Sequence, residues 1–253
     1  MQEAQKVTAA VLVIGDEILS GRTQDTNLNY IAKFLSGLGI DLCEARVVPD
    51  IQDEIVAGLN ALRTRYDYVF TTGGIGPTHD DITADAVAKA FGVKIDYNEE
   101  ALALLGSRYR PGEFNEMRKR MARIPDGATL IKNSVSTAPG FQIGNVFVMA
   151  GVPMIMRAML EESVAPQLKR GTVVISATVS AKIAEGRIAG ALASIQERFK
   201  NTSIGSYPYY REDGFGVQLV VRGREADSVE DAARAIEDAI RDEGVETERV
   251  RTI

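Results

Sequence analysis

The sequence predicts an α/β protein. Residues 1–170 read as a three-layer, doubly wound, mostly parallel sheet, and residues 171–253 as a small α+β domain. Three observations lead there. Val7–Ile14 (VTAAVLVI) is an almost unbroken apolar run, the pattern of a parallel strand buried on both faces. Segments with apolar residues at helical spacing alternate with such runs through short links, the signature of a parallel sheet with covering helices. After Gly171 the order of elements changes.

In order, the first strand ends at Gly15. Leu28, Ile31, Leu35 and Leu38 then fall on one helical face, with Asn27 as a plausible N-cap and Gly39 as the stop. Ile40–Val48 is the second strand, and Ile51, Ile55, Leu59 and Leu62 mark the next helix. Tyr66–Thr72 is a third strand running straight into Gly73-Gly74-Ile75-Gly76-Pro77, and a helix is predicted over about Ile82–Phe91. From Asn98 to Ile131 the pattern is helical but broken at Pro111-Gly112 and Pro125-Asp126-Gly127. Phe141–Ala150 reads as a strand with Gly144-Asn145 as a turn near its start, and a helix follows over about Pro153–Leu168. The second domain is predicted as β-α-β-β-α, with Glu212-Asp213-Gly214 as its hairpin turn.

Composition narrows the chemistry. One Cys and one His cannot build a structural zinc site, an iron–sulfur cluster or a multi-histidine metal cluster, and no haem is expected. A bound metal would sit on oxygen, which selects hard divalent cations such as Mg, Mn or Co. With 29 basic against 35 acidic residues the net charge is −6, a poor balance for nucleic acid or an anionic membrane. No run of 18 apolar residues occurs, and residues 1–8 do not read as a leader, so a cytoplasmic protein is expected.

In an open parallel sheet, ligands bind beyond the carboxyl ends of the strands. Three polar or Gly-rich loops leave such ends: Gly15-Asp16-Glu17-Ile18-Leu19-Ser20-Gly21 continuing to Asp25-Thr26-Asn27; Thr71-Thr72-Gly73-Gly74-Ile75-Gly76-Pro77-Thr78-His79-Asp80-Asp81; and Gly151-Val152-Pro153. In the second, closely spaced glycines let backbone N–H groups turn inward as an anion nest, at the N-terminus of the following helix. It lacks the GK[ST] of a P-loop, and His79 stands where a dinucleotide fingerprint has its third glycine. Asp80 and Asp81 have a plain role as helix cap and dipole complement. Yet Asp81 and Asp85 are four residues apart, and several carboxylates beside a phosphate nest repel it unless a cation intervenes. Asp16, Glu17 and Asp25 would join that acidic group, or serve as solvated turn residues. His79 is a base, a ligand or an incidental loop residue, and Cys43 reads as core filler. Between Gly106 and Lys132, Arg108, Arg110, Arg118, Lys119, Arg120, Arg123 and Lys132 outnumber Glu113, Glu116 and Asp126. That patch either holds ligand phosphates or is a solvated helix face.

Taken together, the first two loops, with Thr137-Ala138-Pro139-Gly140-Phe141 and Gly151-Val152-Pro153, resemble the MoaB/Mog molybdopterin-binding-like superfamily. Within it they are similar to the CinA (competence/damage-inducible protein A) N-terminal type. They are equally similar to the molybdopterin-binding-like domain of FAD synthase, through Thr23–Asn27 and Val48-Pro49-Asp50. The resemblance spans about residues 7–170, and the remainder resembles the small second domain of CinA proteins. It implies a MoaB/Mog-like fold, a homo-oligomer, and a nucleotide or pterin as small-molecule ligand. It implies either divalent-metal-dependent cleavage of a nucleotide diphosphate of the ADP-ribose or FAD type, or non-hydrolytic molybdopterin or nucleotide binding linked to molybdenum-cofactor biosynthesis. The molybdenum-cofactor branch has Arg-Asp where this chain has Asp80-Asp81, which favours the pyrophosphatase. Met121 and Ser136 depart from the CinA pattern, which has Gln and Gly there. No segment resembles a nicotinamide-mononucleotide amidohydrolase or an adenylyl-transferring domain, so neither activity is expected.

The expected roles are therefore these. Asp81, Asp80 and Asp85 are catalytic, and Asp81, Asp16 and Asp25 hold the metal. Thr72, Gly73, Gly74, Gly76, Pro77, Thr78, Asp16, Glu17, Ser20, Asp25, Asn27, Thr137, Pro139, Gly151 and Pro153 bind ligand.

Overall fold

The computed structural model describes residues 6–110, 113–211 and 214–252. They fall into two compact units that divide between Gly171 and Thr172.

The first unit runs β1 (Val7–Ile14), α1 (Asp16–Leu19), α2 (Asn27–Gly37), β2 (Ile40–Val48), α3 (Gln52–Arg63), β3 (Tyr68–Thr72) and α4 (Thr83–Phe91). It continues with β4 (Ile95–Tyr97), α5 (Glu99–Gly106), α6 (Glu116–Lys119), β5 (Arg123–Pro125), β6 (Thr129–Ile131), β7 (Gly140–Ile143), β8 (Val146–Met149) and α7 (Pro153–Ala158). Among the described residues the main sheet has six strands in the order β2-β1-β3-β8-β7-β6. The first four are mutually parallel, while β7 and β6 extend the sheet antiparallel. The mostly parallel, helix-covered sheet is thus present.

Alternation along β1 explains the three layers. Ala10, Leu12 and Ile14 pack with Ile55, Leu59 and Leu62 of α3 and with Ala86 and Val87 of α4. Val7, Ala9, Val11 and Val13 face the other way, onto Ile31 and Leu35 of α2 and Met156 of α7. Both faces are covered, so the strand carries no polar alternation, and each large buried aliphatic side chain contributes about 1.5–3 kcal/mol. One buried polar group sits badly in this core. Thr71 lies on the same face of β3 as Val69, is 0% exposed, and its Oγ1 has no hydrogen-bond partner among the described residues. Thr71→Val is expected to raise stability by about 1 kcal/mol, roughly 2–4 °C in Tm. An unchanged or lower Tm in calorimetry would show that the hydroxyl is satisfied.

Departures from the expected elements follow from short-range signals. The expected strand Phe141–Ala150 is two, because Gly144, at φ +56°, turns the chain between β7 and β8. The 98–131 stretch holds α5 and α6, each with an Asn side chain capping its first turn (Asn98, Asn115), and also the short strands β5 and β6. The expected helix over Pro153–Leu168 is α7 followed by a π-helical turn over Met159–Val164 and a 3-10 turn over Ala165–Gln167. Residues 111–112 of the expected Pro-Gly break lie outside the described residues.

In the second unit, β9 (Ile175–Ala181), α8 (Glu185–Arg198), β10 (Thr202–Arg211), β11 (Gly214–Gly223), α9 (Ala226–Asp242) and β12 (Thr247–Thr252) follow in sequence. Its sheet is antiparallel in the order β10-β11-β9-β12, with α8 and α9 on one face over Val179, Val217 and Leu219. β12 lies outside the expected β-α-β-β-α order; its run (TERVRT) holds three charged residues, Glu248, Arg249 and Arg251, and one valine, a weak strand signal. Residues 212–213 of the expected hairpin turn lie outside the described residues. At the outer edge of β10, Gln196 of α8 accepts from the Ile204 amide and donates to the Thr202 carbonyl. Pro208, in step with these residues, places its missing N–H on the same edge, so strand addition there is discouraged. No described helix is long and apolar enough to cross a membrane.

Candidate functional site

The carboxyl ends of β1, β2, β3 and β8 lie side by side, and their exit loops meet at glycine. Gly73, at φ +104°, is so close to β1 that a Cβ would lie 2.1 Å from the Ile14 carbonyl oxygen. A Cβ on Gly151 would lie 3.2 Å from the Gly73 Cα. Asn27, 5% exposed, donates from Nδ2 to the Gly151 carbonyl at 2.8 Å. Its Oδ1 is buried with no partner among the described residues. Asn27 therefore opens α2 without capping it, and its free acceptor stands where the first and third loops meet Gly73.

The glycine loop is pinned to α4 by Thr83, which is fully buried. Its amide donates to the Gly74 carbonyl at 3.0 Å and its hydroxyl to the Gly73 carbonyl at 3.0 Å. The Gly73 amide is spent on the Met149 carbonyl, so the expected anion nest narrows to the amides from Gly74 to Gly76. The helix begins at Thr83, which corrects the placing of Asp80 and Asp81 at its start. Asp81 instead folds back on its own loop and accepts from the Thr78 amide (2.8 Å) and hydroxyl. Its carboxylate lies over Gly76, where a Cβ would be 2.6 Å from Oδ2. Pro77, Thr78, His79 and Asp80 are exposed. The Thr78 hydroxyl, then the Asp80 amide and the nearby His79, hold the Asp80 carboxyl below the ordinary carboxylate range. That hydroxyl has one proton and donates it to Asp81 in the structure, so the two aspartates compete for it.

An acidic group gathers around a residue absent from the expected set. Asp50, just past the end of β2, accepts from the Asp16 amide at 2.9 Å through Oδ2. A Cβ on Gly74 would lie 3.6 Å from Asp50 Oδ1, which places the carboxylate beside the glycine loop. Burial first, and then the charges of Asp16, Glu17 and Asp80, push the Asp50 carboxyl above the ordinary range, against the Asp16 amide bond. Its position at a strand's carboxyl end was the available signal. Among the described residues, no three acidic, His or Cys groups are arranged to hold a metal ion, so Asp81, Asp16 and Asp25 do not form the expected ligand set. Asp25 caps α2, accepting from the Leu28 amide, and lines a separate groove between α2 and β2 with the exposed Cys43. Cys43 is therefore not core filler. Mg²⁺-type ions keep several waters and take one or two carboxylates plus substrate phosphate. The crowding around Asp50 fits that kind of site.

A small cleft is lined by Gly74, Gly76, Asp81, Asp85, Arg120 and Pro139, among others, with room of about 20 Å³. Asp85 is not available as a catalytic or metal-binding carboxylate. Its two oxygens accept from Arg123 at 2.6 and 2.9 Å, a bidentate pair that links α4 to β5. Much of the basic patch is similarly engaged: Lys119 with Glu116, Lys132 with Glu100, and Arg118 over the Tyr109 ring. Of the remaining candidates, Thr72 is buried at the end of β3, and Thr137 has a buried Oγ1 without a partner among the described residues. Glu17 folds back over Gly15, while Ser20 and Pro153 are exposed at the end of α1 and the start of α7. Leu19, Ile51, Val152 and Met154, all more than half exposed, lie on the first loop, just past β2 and on the segment after β8. Such apolar side chains suit the uncharged part of an organic ligand.

Comparison with known proteins agrees with the fold. Residues 10–170 match the family described as "Probable molybdopterin binding domain", and residues 173–249 match "FAD synthase, middle domain". A "CinA-like protein" of Citrifermentans bemidjiense is 42% identical over 63% of this chain and 40% of its own length. A "Probable FAD synthase" of Caenorhabditis briggsae is 30% identical over 95% of this chain and 51% of its own. The crystal structure of the CinA protein of Thermoplasma acidophilum, whose function is given as unknown, superposes with a TM-score of 0.59 at 37% identity. That match covers 62% of this chain and 95% of the other. The chain spans 40–65% of the length of the first curated relatives it matches. With its family match covering all of the main sheet but the first three residues of β1, and all the loops described above, the chain belongs to the molybdopterin-binding-domain family.

Proposed function

We propose that the first unit binds a phosphorylated nucleotide- or pterin-type ligand and hydrolyses a nucleotide-diphosphate bond, of the ADP-ribose or FAD type, with a divalent cation. The observation that carries this is the gathering of Asp16, Glu17 and Asp80 around Asp50, directly beside a glycine loop able to receive phosphate. Mutual repulsion among those carboxylates is relieved by a cation, and a phosphate can approach them only through one. Asp50 and Asp80 would hold it together with the ligand's own phosphate and water. Bound there, it would neutralise phosphoryl charge and make an attacking water more acidic. The amides from Gly74 to Gly76 orient the phosphate, Asp81 keeps the Thr78 segment closed over the loop, and Asn27 Oδ1 accepts from a ligand donor. Leu19, Ile51, Val152 and Met154 cover the apolar part.

A metal-by-substrate screen tests this, using ADP-ribose and FAD with Mg²⁺, Mn²⁺ and Co²⁺ and resolving the products. Nucleoside monophosphate is expected only when metal is present, and Asp80→Asn is expected to slow its release by about 10²-fold or more. Full turnover in Asp80→Asn, or turnover in chelator, would overturn the metal-assisted reading.

A second reading, binding without hydrolysis in molybdenum-cofactor handling, is favoured by one observation. Asp81 and Asp85 are both satisfied by partners inside the protein. It predicts saturable pterin or nucleotide binding with no phosphoanhydride cleavage under any metal.

A further inference from the structure

Two cations line the glycine-loop cleft, Arg120 and Arg123, and they are engaged differently. Arg123 gives both terminal nitrogens to Asp85. Arg120, on the 3-10 turn over Arg120–Ala122, is left 3.7 Å from Asp85 Oδ2, beyond hydrogen-bond length. Its other contact is to the Asp81 carbonyl at 3.4 Å, the long limit for such a bond. Its Nε is buried and has no partner among the described residues. A guanidinium offers five donors in a planar fork shaped for oxyanions, and a buried donor without an acceptor costs free energy that an oxyanion would recover. Asp85, held by Arg123 through both oxygens, meets Arg120 only as a 3.7 Å ion pair at a terminal nitrogen, so the Nε donor stays without an acceptor. The Gly74–Gly76 segment lines the same cleft, where a small oxyanion would find amide donors. Arg120 keeps 31% of its side chain exposed, so it can swing outward to admit a group larger than the present 20 Å³.

We propose that Arg120 grips a phosphate oxyanion of the ligand in the cleft it lines with Gly74–Gly76, and that Asp85, locked by Arg123, is the residue that positions it. This rests on the reading of the glycine loop as a phosphate site. It changes the meaning of Asp85, which acts through two arginines and does not touch the reacting atoms.

The test is calorimetric titration of the full chain with ADP and with inorganic pyrophosphate, in wild type, Arg120→Met, Arg120→Lys, Asp85→Asn and the Arg120→Met/Asp85→Asn double variant. Arg120→Met is expected to weaken binding about 10- to 100-fold, the range for a lost charge-assisted hydrogen bond. Arg120→Lys should recover part of that loss, since charge returns without the fork. Asp85→Asn should weaken binding in the Arg120 background and have no further effect in Arg120→Met. Wild-type affinity in Arg120→Met would overturn the proposal while leaving the phosphate site standing. Equal loss in the Met and Lys variants together with a lowered Tm, or the same Asp85→Asn factor in both backgrounds, would reduce these residues to structural parts and also overturn it. A wild type that binds neither compound would instead remove the phosphate site itself, and Arg120 with it.

Discussion

Gly73→Ala is expected to lower stability by about 3 kcal/mol or more, on the order of 6–12 °C in Tm, and to abolish ligand binding. Two costs add. A φ of +104° lies outside the left-handed region that even Asn tolerates, so any side chain there is strained. The new methyl would also meet the Ile14 carbonyl oxygen at 2.1 Å, and that atom belongs to the central strand β1, which cannot retreat. Gly21→Ala is the matched control, since Gly21 also has positive φ, +71°, but open space around it. It should lose only about 1 kcal/mol. Thermal unfolding of the two variants side by side decides the matter, and equal losses would mean that the close approach of β1 and the glycine loop is not structural.

Asp50→Asn is expected to move stability and turnover in opposite directions. The Asp50 carboxyl is pushed above the ordinary range in the fold, so its charged form is disfavoured there relative to the unfolded chain. That penalty is fully present above the folded-state pKa and vanishes below the unfolded one. In chelator, the variant should therefore melt higher than wild type at neutral pH, with the difference closing as pH falls through the carboxylate range. Metal-dependent hydrolysis, on the proposed reading, should fall by about 10²-fold or more. Added Mn²⁺ should raise the Tm of wild type and leave the variant unmoved. A variant that loses stability at neutral pH, or keeps its metal response, would remove Asp50 from the site.

The sheet was legible because its signal is long. β1 is apolar on both faces, and α2 and α3 repeat their buried residues at helical spacing, so each element could be placed without knowing its neighbours. β4, β5 and β6 are three residues each, too short to show a period. β12 carries Glu248, Arg249 and Arg251 around Val250 and shows no apolar run. The glycine loop and its partner loops were legible for a related reason: their residues are consecutive and follow strand ends. What could not be read is pairing across sequence. Nothing near Asp85 announces that Arg123 will occupy both its oxygens, and the same contact is what leaves Arg120 without a strong partner. Asp81 as a cap was reasonable on local chemistry, but Thr78, three residues earlier, offers two donors to the same carboxylate. Asp50 shows its character only when Asp16, Glu17 and Asp80 are brought around it.

The crossing of Gly73 and Gly151 has a consequence for how ligand preference can be altered. Where these two loops touch, the floor of the site is main chain on both sides, with 3.2 Å between a would-be side chain and the facing Cα. No substitution can be introduced there to enlarge, shrink or recharge the pocket without moving the strands themselves. On the proposed reading, discrimination between ligands is tuned at Ile51, Val152 and Met154 for shape and at Arg120 for charge. Redesign of the molecule toward a different nucleotide or pterin therefore starts at the rim and leaves the floor untouched.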